Sequence, residues 1–461
     1  MVNPPASHFP WSSFVGSVSI SDPATCLTRK SKFLLVNQFP MASKILVIAA
    51  SCDFLVLMGI LCAGLSCSAE QAISPDQFRP GIRSAQRLTL ISANDGGMHL
   101  KLKQEAFTNN APLAFERAAL TRDSITAVTL GPDHPPIVKT FYGTVPSTIS
   151  GAPYLATTPD GRFAFVTCHR EGWLGPEAGD IVSMIDLSSP ELKVIDTAKV
   201  IHPRLGAMHP DGKYYVVGHD LGFSVFDVSN GRLELKTQIE IGKLPTSFAI
   251  SPKGDRLVAA QVKLPRETNT YSVHLYRFKD GVITHEREVT VDKRFGKFDK
   301  PFAMRFSPDG KRVLIPNGGG RASKGRLDDV LSLDMTLDPP QVTEVLPQLA
   351  DGIESLAFHP KGNMAVIAGL DDVAGSAIAG FSHLIVVDLT AKPAKVLYHM
   401  PVDSFPEGIE FSPDGSLLFV QETAANRIGV FEVEGFMLKK SPFVLRVGHA
   451  PSAMGITSRV F

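Results

Sequence analysis

The chain has 461 residues, with 46 basic and 46 acidic side chains, so its formal net charge is zero. Hydrophobic residues make up 44% of the chain and charged residues 20%, which is more apolar content than an intrinsically disordered protein carries. Just one stretch of the sequence is apolar over enough length to span a bilayer, which excludes a polytopic membrane protein. The 38 glycines and 34 prolines exceed the usual proportion and indicate many turns.

The first 69 residues are predicted to be an extension and a targeting segment that the mature protein lacks. Residues 1–40 show no sustained periodicity and are interpreted as an upstream extension before a second start at Met41. From Met41 a basic start leads into an apolar run over 45–65, and small residues then lead to Ala69. This pattern is typical of a signal peptide over 41–69 that is cleaved after Ala69. An uncleaved anchor formed by 45–65 is the alternative.

Removal of residues 1–69 changes the charge and the cysteine content. Four basic and two acidic residues lie in that segment, so 42 basic and 44 acidic residues remain and the net charge becomes −2. A nucleic-acid partner is not predicted, because no basic surface is indicated. Cys168 is the one remaining cysteine, so no internal disulfide is possible. These features predict a periplasmic or secreted monomer that is stabilised by its core and meets the membrane only transiently, through the signal peptide.

A turn of proline, aspartate or lysine, and glycine recurs along the mature chain. Its prolines follow one another at steps of 51, 42, 56, 52 and 53 residues and are Pro159, Pro210, Pro252, Pro308, Pro360 and Pro413. Proline presets the backbone angle of the first central residue, and glycine accepts a positive φ. Short β runs lie on both sides of each turn, and two further β runs follow without a helix between them. Four short strands per repeat predict the blades of a β-propeller.

Six turns predict seven blades, because one blade is divided between the two ends of the chain. Pro451–Thr457 matches residues 245–251 position for position, so it is a seventh innermost strand. The other three strands of this blade are predicted at 87–93, 123–130 and 136–145. We therefore expect an all-β, seven-bladed propeller of four-stranded blades, closed by N- and C-terminal strands that share one blade. The lead-in with the first strand and a long loop covers 70–122, and the propeller proper covers 123–461.

The turns and the strands that follow them resemble a known repeat. The sequences TPDGRFAFVTC at 158–168, SPDGKRVLIPN at 307–317 and SPDGSLLFVQE at 412–422 are similar to the YVTN-type repeat of seven-bladed propellers, a group that overlaps the lactonase-like propellers. The resemblance covers residues from about 120 to 461. The resemblance implies the fold and leaves the activity open, because the repeated sequences form the turns and the core strands.

Candidate functional residues lie on the face of the ring opposite the turns, where the blade-to-blade loops meet. Nine residues after each turn proline, at the end of the second strand, stand Cys168, His219, Gln261, Asn317, Gly369 and Glu422. Six residues before each turn proline, or its equivalent, stand Arg204, Thr246, Phe302, Glu354, Glu407 and Ser452. A purely structural repeat would keep one residue type at such positions. The variety predicts a functional mouth, and a wet channel that tolerates mixed polar residues is the alternative.

Further polar residues are expected around this mouth on loops of the same face. They are His169, Arg170, His202, Lys243, Lys300, Asp351 and His449. The residues predicted to bind a ligand are His169, His202, His219, Gln261, Asn317, Glu422 and His449. No metal site or cofactor is predicted, because no HExxH motif or other recognised spacing constrains the histidines. His209 and His359 precede turn prolines on the opposite face and are interpreted as structural, and Cys168 is interpreted as an ordinary cysteine at the end of a strand.

Two functions stay open on these residues. The first is a binding module that takes an unknown small molecule or protein at the mouth. The second is implied by the resemblance: a lactonase-like enzyme that hydrolyses or closes a lactone, with Glu354 or Glu407 as the base and Arg204 holding a substrate carboxylate. A subunit of a periplasmic redox system is a third interpretation, by analogy of fold alone.

Overall fold

Most of the predicted mature chain is described by the computed structural model, and the predicted extension and signal peptide lie outside the described residues. The described residues are 84, 86–96, 100–102, 115–117, 122–143, 155–170, 178–263, 271–295, 298, 301–318, 327–370, 382–402 and 405–458. Among these residues no helix has the length and apolar character needed to cross a membrane.

Seven antiparallel sheets of four strands follow one another along the chain, and we number them as blades 1 to 7. Within each blade the strands run in chain order from the inner to the outer position, except in blade 7. Blades 1 to 3 contain Leu155–Thr157, Phe163–Arg170, Ala178–Asp186 and Lys193–Lys199; Gly206–Met208, Tyr214–His219, Gly222–Asp227 and Glu234–Glu240; and Lys243–Ile250, Arg256–Lys263, Tyr271–Lys279 and Val282–Val289. Blades 4 to 6 contain Arg305–Phe306, Arg312–Asn317, Asp328–Asp334 and Gln341–Ala350; Ile353–Phe358, Met364–Gly369, His383–Asp388 and Lys395–Pro401; and Pro406–Phe411, Leu417–Glu422, Arg427–Glu434 and Met437–Arg446. A two-stranded sheet (Leu100–Leu102 and Phe115–Arg117) and two 3-10 turns (Lys293–Phe295 and Thr423–Ala425) are the other elements of the described residues.

Blade 7 closes the ring in the way that the sequence predicts. Its inner strand is the C-terminal Pro451–Thr457, and the next three are Leu88–Asn94, Ser124–Leu130 and Ile137–Tyr142. The two ends of the chain pair directly, with Ile91 opposite Gly455, and the Asp95 N–H donates to the Ala450 carbonyl at 2.9 Å. Each end is thereby held in a sheet, and the edges that an open ring would expose are removed.

The repeated turns form one face of the ring, which we call the turn face. In most turns a Ser or Thr precedes the proline and caps the turn, as where Ser412 donates to Asp414 at 2.6 Å. In two turns a histidine takes that place and reaches the next blade. His209 Nε2 lies 2.9 Å from the carbonyl oxygen of Gly254, and His359 Nε2 lies 3.2 Å from that of Gly415. The structural role predicted for these two histidines is confirmed.

The core lies between neighbouring blades. Between blades 2 and 3, for example, the ring of Phe223 packs edge-on against Phe248 at 5.4 Å and against Tyr276 at 5.7 Å. Alternation along each strand places one set of apolar side chains towards each neighbouring blade. Burial of such an aromatic ring stabilises the fold by about 1.5–3 kcal/mol.

A β-bulge recurs near the start of the inner strands. The ladder between inner and second strand skips Thr246 in blade 3, Glu354 in blade 5, Glu407 with Gly408 in blade 6, and Ser452 in blade 7. All four bulges fall at the position six residues before the turn. A bulge re-aims the side chain that it carries, so this repeated irregularity presents one variable residue per blade near the face opposite the turns, which we call the upper face.

Candidate functional site

A polar cluster at the upper end of blade 2 joins two predicted site residues through a carboxylate. His202 Nδ1 lies 2.6 Å from Asp220 Oδ2, and Arg204 Nε donates to Asp220 Oδ1 at 3.2 Å. Burial acts to raise the pKa of Asp220, but the hydrogen bond with His202 and the charge of Arg204 hold it below its ordinary value. Asp220 is therefore ionised near neutral pH and orients both neighbours. The other side-chain nitrogens of His202 and Arg204 have no partner among the described residues.

His202 has the left-handed backbone conformation, with φ of 44°. This conformation is uncommon for residues other than glycine and costs free energy, which the hydrogen bond with Asp220 helps to offset. Sequence reasoning found His202 and Arg204 separately and missed Asp220. The position of Asp220 in the sequence could have indicated this role. Asp220 follows His219 at the end of the second strand, beside the segment that leads into the inner strand.

Two predicted catalytic carboxylates lie on the opposite side of the ring. Glu354 of blade 5 is 9% exposed and Glu407 of blade 6 is fully buried, each on its bulge. Both take part in interactions within the fold, as burial of a carboxylate requires. Blades 5 and 6 are each three steps from blade 2 around the ring, the largest separation that seven blades allow. The structure therefore brings Glu354 and Glu407 to neighbouring blades and places Arg204 across the channel from them.

The residues nine positions after the turn prolines are buried at the ends of the second strands. Glu422 has no exposed surface and is paired with Arg427 Nε at 2.6 Å and with Lys440 Nζ at 3.1 Å. Burial raises the pKa of Glu422, and the charge of Lys440 opposes that shift. Gln261 donates its amide to the hydroxyl of Tyr276 at 2.5 Å. These side chains make their contacts inside a blade.

The equivalent residue of blade 7 is Asn94, which the sequence analysis missed. Asn94 lies opposite Pro451 and donates its amide to the Ser124 carbonyl at 3.1 Å and to the Thr126 hydroxyl at 3.0 Å. The predicted second strand ended one residue earlier, at Ala93, so the alignment to the asparagine of the YVTN word was not made. Asn94 binds its own blade, as Gln261 does.

Three further predicted ligand residues lie at different depths. His219 is fully buried, and its Nδ1 accepts from the Leu221 N–H at 3.3 Å. Burial lowers the pKa of His219, so its imidazole is neutral at pH 7. Asn317 is buried at the end of its strand, and His449 lies half-buried before blade 7. The side chains of His169 and Arg170, and all of Lys300, lie outside the described residues.

Blade 3 contains a second polar cluster, of which the sequence analysis identified one residue. The predicted mouth residue Lys243 has its Nζ 3.1 Å from His274 Nε2, and the Ser272 hydroxyl lies 2.8 Å from the same nitrogen. His274 Nδ1 lies 3.0 Å from His285 Nε2. Burial, with the charge of Lys243, lowers the pKa of His274 to about 4, so this histidine accepts a hydrogen bond as a neutral ring. The alternation of Ser272 and His274 along one strand was the available signal.

Buried carboxylates also meet where blade 4 joins blade 5. Asp328 Oδ2 accepts from the N–H groups of Gly352 and Ile353 at 3.0 and 3.1 Å. Burial raises the pKa of Asp328 to about 7; these two hydrogen bonds oppose the shift, and neighbouring Asp351 and Asp329 add to it. Asp351, predicted at the mouth, is 1% exposed. Asp328 therefore serves to fix the connection between two blades.

Within the part of the chain that the structure describes, no group of three or more His, Cys, Asp or Glu side chains is arranged to hold a metal ion. The predicted ligand residues His202, His219 and His449 are therefore not part of such a group among the described residues. Cys168 is a buried free thiol.

The ring of seven four-stranded blades, with polar residues at its upper end, defines a lactonase-like seven-bladed propeller fold. No protein-family model matches the chain, and no curated protein sequence matches it. Solved structures do. A putative 6-phosphogluconolactonase from Bacteroides uniformis matches with a TM-score of 0.56 and 12% identity, over 80% of this chain and 99% of that one.

Two other solved structures share the fold. The periplasmic gluconolactonase of Pseudomonas aeruginosa matches with a TM-score of 0.53 and 15% identity, over 80% of this chain and 99% of that one. The hydrazine synthase of Kuenenia stuttgartiensis matches with a TM-score of 0.51 and 17% identity, over 67% of this chain and 90% of that one. At these identities the similarity is one of fold. It bears out the resemblance to YVTN-type and lactonase-like propellers.

Proposed function

We propose that this protein is a binding module that takes a small hydroxylated carboxylate at the upper end of its channel. The observation that carries this proposal is the arrangement of His202 and Arg204 around Asp220. Asp220 fixes both side chains through one nitrogen each, so that an arginine fork and an imidazole edge are left for a ligand. A planar guanidinium that is already oriented binds a carboxylate with little further loss of side-chain entropy.

The opposite side of the channel supports the same function. Glu354, which keeps 9% of its surface exposed, would accept a hydrogen bond from a ligand hydroxyl in addition to the interactions that it makes within the fold. Since Arg204 lies three blades from both glutamates, one compact catalytic group is harder to build than a site in which a ligand is held at its two ends. This separation is the reason for placing binding ahead of catalysis.

Titration calorimetry with gluconate tests the proposal, since two similar structures carry gluconolactonase names. Arg204→Gln is expected to weaken gluconate binding by about tenfold or more, because it removes a charge-assisted pair. Arg87→Gln is the matched control: Arg87 pairs with Asp133 at the exposed surface of blade 7, and its loss should leave binding unchanged. Equal affinity of Arg204→Gln and wild-type protein for gluconate would count against this site.

Lactone hydrolysis is the second candidate, and the buried glutamates on neighbouring bulges favour it. In that case Glu407 or Glu354 would act as the general base that activates water, and Arg204 would hold the substrate carboxylate. Glucono-lactone turnover is measured against a protein-free blank, with Glu407→Gln beside Glu432→Gln, a change on the outer part of the same blade. Turnover that Glu407→Gln abolishes and Glu432→Gln retains would establish the enzyme. Binding without turnover supports the binding module.

A further inference from the structure

The opposite end of the channel holds a second polar feature that the repeat itself brings out. At the position three residues before the turn proline, or its equivalent in blade 7, five blades carry a small residue and two carry a charge. The small residues are Ala156, Ala207, Ala249, Ala357 and Gly455. The charged residues are Arg305 in blade 4 and Glu410 in blade 6. A repeat that needed only close packing at this position would keep it small in every blade.

Arg305 and Glu410 meet across the channel. Arg305 Nη2 donates to Glu410 Oε1 at 2.7 Å, although the two residues are 105 positions apart and blade 5 lies between their blades. Blade 5 carries Ala357 at this position, so its side chain leaves room for the contact. The side chains are 34% and 21% exposed, so the pair is partly solvated. Such a pair adds little to stability, which leaves the departure from a small residue unexplained by folding alone.

A cavity of about 340 Å³ lies beside this ion pair. It is formed by the inner strands of six blades and includes Pro252 of a turn, so it lies at the end of the channel near the turn face. Polar and apolar surface contribute about equally to its lining, and the apolar part includes Met208 and Phe306. A volume of this order is within the range of small-ligand pockets, roughly 300–1,000 Å³. The Arg305–Glu410 pair is the charged part of the lining.

We propose that this cavity is a binding site for a zwitterionic ligand with an apolar side chain, such as an apolar α-amino acid. The ion pair presents a cation and an anion side by side, which complements an α-carboxylate beside an α-ammonium group. Within the described residues each partner makes one hydrogen bond, to the other, so Arg305 keeps further N–H groups and Glu410 keeps an oxygen for the ligand. The apolar part of the lining, at Met208 and Phe306, then receives the side chain. This site is separate from the one at the upper face and does not depend on it.

Titration calorimetry on the purified protein with three probes tests the proposal. L-Leucine carries both charges, 4-methylpentanoate lacks the ammonium group, and 3-methylbutylamine lacks the carboxylate. Leucine is expected to bind at least about tenfold more tightly than either analogue, since a hydrogen bond between charged groups contributes that much. Equal affinity for the three probes, or no binding of any of them at millimolar concentration, would overturn the proposal.

Two variants locate the site. Glu410→Gln should weaken leucine binding by about tenfold or more and leave 4-methylpentanoate binding unchanged, because only the ammonium partner is lost. Lys311→Gln is the control: Lys311 is an exposed cation near the same face, paired with Asp309 at 3.8 Å, and its loss should leave leucine binding as in the wild type. Unchanged leucine affinity in a folded Glu410→Gln protein would refute the site. If this variant does not fold, the three probes on the wild-type protein decide the question.

Discussion

Asp328 makes the stability of the ring depend on pH near neutrality. Its carboxyl group is 2% exposed, and burial raises its pKa from 3.8 to about 7. A carboxyl whose pKa is higher in the folded protein than in the unfolded chain stabilises the fold at low pH, and this contribution is lost as the pH rises through the folded pKa. A shift of about three units corresponds to about 4 kcal/mol in all, of which about 2.3 kcal/mol is lost between pH 5 and pH 7.

The test is Asp328→Asn, followed by urea unfolding at pH 5, 6, 7 and 8. Asparagine keeps an oxygen that accepts from the N–H groups of Gly352 and Ile353, and it does not ionise. The free energy of unfolding of the variant, relative to the wild type, is therefore expected to rise by about 2.3 kcal/mol between pH 5 and pH 7. Asp227→Asn is the control, because hydrogen bonds from Ser229 lower the pKa of Asp227 and its titration falls below this range.

A difference between Asp328→Asn and wild-type protein that stays constant from pH 5 to pH 8 would refute this reasoning. It would mean that Asp328 is ionised over the whole range, and that the two hydrogen bonds outweigh the cost of burial. If the free energy of unfolding of Asp227→Asn, relative to the wild type, changes over the same pH range, another titrating group is responsible.

Three further changes test how the ring is held together. His359→Ala removes the contact with the Gly415 carbonyl of the next blade and should cost about 1–2 kcal/mol in urea unfolding, and His359→Ser should not restore it. Glu422→Ala leaves two partly buried cations without their carboxylate and should cost about 3 kcal/mol or more in the same assay. Deletion of 451–461 removes the inner strand of blade 7 and exposes the edge of its neighbour, so size-exclusion chromatography should show aggregates, and a monodisperse folded product would contradict the closure described above.

The fold was predictable because its signals are local and repeated. Each turn proline marks the end of an inner strand, and the match of Pro451–Thr457 to the other inner strands predicts the shared blade without any long-range information. The missed detail was a boundary of one residue, at Asn94, where the ladder shifts register at a bulge. The strand pattern in the sequence carries no mark of that shift.

The candidate site was predictable only as a set of positions. Repeat alignment predicted Arg204 and Glu407 at the mouth, but it could not show that Asp220 joins His202 to Arg204, because that contact depends on the path of a loop. The Arg305–Glu410 pair could not be predicted either, because it joins residues of two blades that are not neighbours. Alternation along a strand predicts the face on which a side chain lies, but it does not predict which residues meet across the channel.

The inner strand of blade 6 shows why one repeat supplies two different ends to the channel. Glu407 and Glu410 are three residues apart, which is about 10 Å of strand. Glu407 lies at a bulge and is fully buried near the upper face, while Glu410 meets the channel near the turn face. Substitutions about 10 Å apart have additive effects when the residues share no partner. The repeat can thus carry different residues at the two positions, and the two proposed sites use the charged side chains found there, Arg204 and Glu354 at one end and Arg305 and Glu410 at the other.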